Sequence, residues 1–192
     1  MLNIVRADLA RYLDGNPPSL RRVLKVLKAE YGLQVTIVYR FGQVLKGWIR
    51  RPLLFPLAVV GFLLYFPLYW IVSRAYGIRL YLSADIGSAL YIGHFGGIEV
   101  ANCRVGACCT LGEQVRIGSR DVATGPDIED RVWIGGHVRV SGAIKIGRGA
   151  TIASGALVEK DVPTRALLVG RPGRILSRDY DNTRILGAGV FI

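Results

Sequence analysis

Aliphatic residues recur at a fixed interval of six along the second half of the chain, and no other feature restricts the fold so tightly. They fall at Leu80, Ile86, Ile92 and Ile98, then at Val105, Leu111 and Ile117, then at Ile128, Ile134, Val140, Ile146, Ile152 and Val158. Glycine follows the aliphatic residue at 87, 93, 106, 112, 118, 135 and 147, and the residue four after it is small or β-branched at Ala84, Val115, Val132, Val138, Ala150 and Ala156. A helix repeats at 3.6 and a half-buried strand at 2, so neither gives a period of six. A triangular coil does: short strands form its sides, the aliphatic residue fills the interior, glycine admits the corner's backbone angles, and coils stack at about 4.8 Å. Thirteen such positions make a little over four coils. Two breaks interrupt the count. Ile98 to Val105 is seven, read as a one-residue bulge, and Ile117 to Ile128 is eleven, read as a projecting loop within 118–127.

Ahead of the coils, residues 1–77 form a small α-helical region. Asp8 to Leu13 runs into the breaker Asp14-Gly15-Asn16-Pro17-Pro18, Ser19 caps a helix through Arg21 to Glu30 that Gly32 ends, and Gln34 to Trp48 carries an apolar stripe at Val35, Val38, Phe41, Leu45 and Trp48. The net charge is +11, and residues 1–51 hold ten Lys or Arg against Asp8, Asp14 and Glu30. Such a segment suits nucleic acid or anionic lipid. No nucleic-acid motif accompanies it, so the expectation is a membrane surface and no nucleic acid.

From Pro52 to Ser73, 22 residues carry no charge, enough to span a bilayer. Pro56, Gly61 and Pro67 interrupt the stretch, which predicts a broken, re-entrant or interfacial pair of short helices. Lys46, Arg50 and Arg51 hold its N-terminal side at the cytoplasmic face of the inner membrane. The alternative is a cytoplasmic protein with this segment buried in an oligomer. Cys103, Cys108 and Cys109 are clustered and odd in number, and no secretory signal precedes them, which points to a reducing compartment.

Tyr91-Ile92-Gly93-His94-Phe95-Gly96-Gly97-Ile98, the closing run Val158-Glu159-Lys160-Asp161-Val162-Pro163, and Val169-Gly170-Arg171-Pro172-Gly173-Arg174-Ile175 together resemble the serine acetyltransferase family of hexapeptide-repeat acyltransferases. Asn16-Pro17 and Tyr31-Gly32-Leu33 through Tyr39-Arg40 match the family's helical part in order. The resemblance implies a mainly β protein: a left-handed parallel β-helix of hexapeptide repeats over 78–176, behind the helical region and before a tail, 177–192. It also implies acetyl-CoA as co-substrate and a homotrimer with the active site between subunits.

A hydroxyl is nearly unionised at neutral pH, so its attack on a thioester needs a base in reach, and histidine titrates near that pH. His94 matches the family's catalytic base, while His137 falls in a later corner and reads as surface. For coenzyme A the matched positions are Gly135, Gly136, Ala153 and Ser154 for the arm, with Lys160, Arg171 and Arg174 for the phosphates. Cys108-Cys109 offers a rival nucleophile, but Cys109 falls at an inward position. With two histidines in the chain, a three-histidine metal site is not expected within one subunit.

The family's acceptor pocket matches Asn16, Tyr81 and Thr124 here, and its Arg-His-Pro run reads Thr124-Gly125-Pro126. Most charges that hold a zwitterion are replaced, and an unpaired buried charge is costly. That argument predicts a neutral acceptor, the hydroxyl of a sugar or lipid-linked saccharide in polysaccharide biosynthesis, as in membrane-attached members of the family associated with exopolysaccharide synthesis. The alternatives are serine O-acetylation in cysteine biosynthesis and a non-catalytic β-helix scaffold.

Overall fold

The computed structural model of the chain describes residues 2–13, 17–93, 96–119 and 124–186. All thirteen periodic aliphatic residues lie on strands, and none is more than 4% exposed. β1 (Ile78–Leu80), β4 (Ile98–Val100), β7 (Arg116–Ile117), β10 (Arg139–Val140) and β13 (Leu157–Val158) stack in parallel as the first side of a prism. β2 (Asp85–Ile86), β5 (Arg104–Val105), β8 (Asp127–Ile128) and β11 (Lys145–Ile146) form the second, extended by a bridge from Ile146 to Val162. β3 (Tyr91–Ile92), β6 (Thr110–Leu111), β9 (Trp133–Ile134), β12 (Thr151–Ile152) and β14 (Leu167–Val169) form the third, and β15 (Arg174–Ser177) adds an antiparallel edge. Ala84, Val115, Val132, Val138, Ala150 and Ala156 complete the buried interior.

Each strand's outward residue stacks on its counterparts. The second side presents Asp85, Arg104, Asp127 and Lys145 in alternating charge, whereas the third presents Tyr91, Thr110, Trp133, Thr151 and Leu167. α1 (Leu2–Tyr12) docks on that uncharged side, where the Tyr12 and Tyr91 rings lie 4.8 Å apart, while α3 (Tyr31–Ile49) packs over the first coil with bonds to the Ala84, Ile86 and Gly87 carbonyls.

The register relocates one expected irregularity. Leu80 pairs with Val100, and Val100 with Ile117, so the inward counterpart of Leu80 is Val100 and not Ile98. From Ile92 to Val100 is eight residues, and from Val100 to Val105 is five. The bulge expected after Ile98 is therefore a two-residue enlargement of the turn around His94, offset by one residue lost at the next corner. Ile98 hid the shift because it is buried too, at 0% exposure. The longer excursion is a corner loop between β7 and β8, of which Ser119 and Thr124 are the nearest described residues.

In the helical region α1 is Leu2–Tyr12, α2 Leu20–Ala29, α3 Tyr31–Ile49 and α4 Phe55–Tyr76, with a 3-10 turn at Pro52–Leu54. Ser19 caps α2 by accepting the Arg22 N–H. Gly32 does not end a helix: it lies inside α3, where a Cβ would come within 2.5 Å of the Ile92 carbonyl oxygen, so glycine lets the helix touch the coil. The apolar stretch is one helix rather than two. Pro56 falls in its first turn, where an N–H has no helical partner. Pro67 deletes a bond to the carbonyl of Leu63, a residue 72% exposed on the outer side.

Candidate active site

The enlarged turn sits at the corner between the third and first sides and is pinned at both ends. The Gly93 N–H donates to the Leu111 carbonyl, the Gly96 N–H to the Tyr76 carbonyl at the end of α4, and the Gly96 carbonyl accepts from Gln114 at 2.8 Å. Behind it the Tyr12 hydroxyl accepts the Ile92 N–H at 3.0 Å. His94 and Asn16 lie outside the described residues. The frame on either side of His94, Tyr91 to Gly93 and Gly96 to Ile98, is held by α1, α3, α4 and the coil beneath.

Below this turn the same corner repeats as a column. Gly112-Glu113-Gln114 comes next, then Gly135-Gly136-His137, then Ala153-Ser154-Gly155, then Gly170-Arg171, each joined to the next by backbone bonds such as His137 N–H to Glu113 O and Gly155 N–H to Gly136 O. The structure thus gathers Gly135, Gly136, Ala153, Ser154 and Arg171 in line with the His94 turn. Arg174 opens β15 beside Val169 at the column's end. The column's glycines are also fixed by stacking: a Cβ at Gly135 would meet the Ser154 nitrogen at 2.7 Å, and one at Gly136 would strike the Glu113 carboxylate.

Lys160, Tyr81 and Thr124 are elsewhere. All three follow strands of the first side and occupy its far edge, Lys160 after β13, Tyr81 after β1 and Thr124 in the loop after β7. The Tyr81 hydroxyl donates to Glu99 at 3.2 Å. Gly125 presses on the Asn102 carbonyl with no room for a side chain, and Asn102 Nδ2 donates to the Ser119 carbonyl at 2.8 Å. Within one chain Tyr81 and Thr124 and the His94 turn therefore lie on opposite edges of one side.

The rival nucleophiles are packed away. Cys109 is 0% exposed, and burial pushes its thiol and that of Cys103 up to about 12. Cys108 is a half-buried corner residue at φ 58. His137 is exposed, two coils from the His94 turn. Among the described residues no group of three His, Cys, Asp or Glu is placed to hold a metal ion.

Two charged groups near the site escaped the sequence reading. Arg11 in α1 is 2% exposed against Tyr91, donates Nη2 to Thr110, and leaves Nε and Nη1 without partners; burial lowers its pKa. Glu113 occupies the corner directly below the His94 turn. The hexad phase that located Gly135 also locates Glu113, whereas no local signal marks Arg11.

No family model matches the chain. It is 30% identical over 176 residues to serine acetyltransferase 4 of Arabidopsis thaliana, covering 90% of this chain and 46% of that one. It is 28% identical over 178 residues to serine acetyltransferase of Bacillus pumilus, covering 90% and 76%. Among solved structures, Neisseria gonorrhoeae serine acetyltransferase in complex with serine superposes with a TM-score of 0.72 at 25% identity, covering 90% of this chain and 68% of that one. The chain is a hexapeptide-repeat relative of the serine acetyltransferases.

A serine acetyltransferase in complex with CoA shares the fold at a TM-score of 0.69 and 22% identity, over 90% of this chain and 68% of that one. The left-handed β-helix with an N-terminal helical region is thus the fold of this chain. The chain spans about half the length of the plant relative, 46%. The comparisons overturn the sugar acceptor and the exopolysaccharide assignment, because the relatives and structural neighbours are serine acetyltransferases. The missing charges misled because only the matched positions were counted: Arg11 is buried against Tyr91, and Glu113 lies on the rung below the turn with its carboxylate beside Gly136.

Proposed function

We propose that this protein is an acetyl-CoA-dependent O-acetyltransferase acting on serine, the step that supplies an activated serine ester for cysteine biosynthesis. His94 takes the proton of the serine hydroxyl as its oxygen attacks the thioester carbonyl. The tetrahedral intermediate collapses, the carbon–sulfur bond breaks, and the departing thiolate receives the proton back. The observation that carries this reading is the enlarged turn at His94, which heads a column with small residues at Gly112, Gly135, Gly136, Ala153 and Ser154 and ends in Arg171. Small residues let a flexible donor arm lie along the column, and arginine suits its phosphates. Arg174 is an additional phosphate partner, Lys160 on the far edge joins it only from a neighbouring subunit, and β-helix 78–176 is the catalytic unit.

Splitting the candidates between two edges of the first side supports a homotrimer. A neighbouring subunit brings its Tyr81 and Thr124 edge to the His94 turn of the next, Asn16 is a further acceptor-binding residue, and the protein works where acetyl-CoA is made, in the cytoplasm. The test is thiol release from acetyl-CoA with L-serine as acceptor, with mass detection of O-acetylserine. Turnover that requires serine supports the reading. Thermal stabilisation by coenzyme A without any serine-dependent thiol release overturns it.

A further inference from the structure

We propose that α2 and α4 together form a docking surface for an anionic lipid bilayer, with α4 lying in the plane of the interface rather than crossing it. By length and composition alone, Pro52–Tyr76 is long and apolar enough to cross a membrane, and 11% of its apolar window is buried. Its inner stripe, including Ala58 and Tyr65, packs on α3, where Gly42 and Gly61 leave room for Tyr65 and Leu45. The rest is apolar and open: Leu53 is 90% exposed, Leu63 72%, Val60 62%, Phe66 61% and Trp70 61%. α3 in turn is fastened to the first coil by polar groups, with Arg40 donating to the Ile86 and Gly87 carbonyls and Gln43 and Lys46 to those of Ala84 and Leu82. A spanning α4 would drag this charged seam into hydrocarbon, where unsolvated charge is costly. Lying flat, it buries only the open face.

α2 supplies the charge. Arg21, Arg22, Lys25 and Lys28 occupy one arc, Val23, Val26 and Leu27 turn towards α3, and Leu20 and Leu24 lie between, 78% and 58% exposed. These four cations form no ion pair with a described residue, and Glu30 is the one acid between Asp14 and Asp85. A basic helix with an exposed apolar stripe is suited to an anionic interface. Gln34 joins the two helices: its Nε2 donates to the Leu27 carbonyl, and its Oε1 accepts from the Tyr76 hydroxyl at the end of α4. A second copy of the chain is a poor occupant, because a two-fold contact would set these cations against themselves. Nucleic acid would match the cations and leave Leu20, Leu24 and the face of α4 in water.

The test is flotation of the full-length protein with vesicles of phosphatidylcholine alone or mixed with phosphatidylglycerol, at low and high salt. The expected result is binding to the mixed vesicles that weakens as salt rises and falls roughly fivefold for each cation removed in Arg21→Gln and Lys25→Gln. Leu20→Ser with Leu24→Ser, at exposed positions that spare the fold, and Leu63→Ser with Leu64→Ser are expected to lower it further. Failure to bind mixed vesicles at low salt overturns the proposal, and so does a soluble assembly that loses its size in the Leu63/Leu64 variant. Vesicle binding unaffected by all four leucine changes also overturns it, since adsorption would then be by charge alone. None of these readouts depends on acetyl transfer.

Discussion

Asp8 Oδ2 lies 2.9 Å from Arg40 Nε, in the seam between the helical region and the β-helix, with side chains 1% and 7% exposed. The other carboxylate oxygen accepts the Leu90 N–H at 3.2 Å, and the guanidinium reaches two carbonyls of the first coil. One ion pair therefore ties α1, α3 and the first coil. Asp8→Ala strands Arg40 without its counter-charge and is expected to cost about 3–5 kcal/mol. Urea unfolding measures the loss, and Asp8→Ala with Arg40→Met should recover most of it. Equal stability of the single variant and the wild type would contradict the assignment.

His94→Ala is expected to lower kcat by roughly 10²- to 10⁴-fold while the fold and coenzyme A binding persist. In the wild type, kcat/KM should fall as pH drops through the base's titration, near 6.5 for an ordinary histidine. The variant should lose that acidic limb. A residual rate with the same limb would place the base elsewhere.

The thiols provide an independent check on direct transfer. With Cys103 and Cys109 raised to about 12 by burial, iodoacetamide at neutral pH should label at most Cys108 in the folded chain and all three cysteines after unfolding. Cys108→Ser should leave turnover within about twofold and stability within roughly 1 kcal/mol. Loss of turnover with the fold intact would indicate a covalent intermediate.

Asp130 joins adjacent coils at the corner between the second and third sides, accepting from the Ala107 N–H at 2.9 Å and from Arg148 Nη2 at 2.8 Å. The Arg148 bond first, then the Ala107 bond, holds its pKa below 3.8. A depressed folded value stabilises the protein above the unfolded pKa, and that contribution disappears as pH falls below 3.8. Asp130→Asn should therefore be less stable at neutral pH, by about 1 kcal/mol, and should show a smaller drop between neutral and acid melting temperatures.

The coil was legible in the sequence because its inward positions obey one rule: an aliphatic side chain every six residues fills a dry interior. The same rule misplaced the irregularity near His94. Ile98 and Val100 are both buried, and hydrophobicity alone cannot tell which one faces Leu80; strand pairing can. Gly32 misled for a related reason, since its lack of a side chain answers to the Ile92 carbonyl 60 positions away and not to a local turn. α4 looked broken because helix rules for proline count lost bonds without asking which side of the helix loses them. The acceptor was inferred from charges missing at matched positions, while Arg11 beside Tyr91 and Glu113 one rung below the turn lie on a helix and a corner that those positions do not include.

The column beneath His94 also turns distance into a count. Gly93, Gly112, Gly135 and Ala153 occupy successive rungs, and at about 4.8 Å per rung Gly93 stands roughly 14 Å above Ala153. Insertions within the flat sides must add whole turns, whereas extra residues at a corner, as between β7 and β8, leave the register of this column unchanged. The distance from Gly93 to the lower end of the column can thus change only in steps of one rung. A donor with a longer or shorter arm would have to be met by gaining or losing a complete coil.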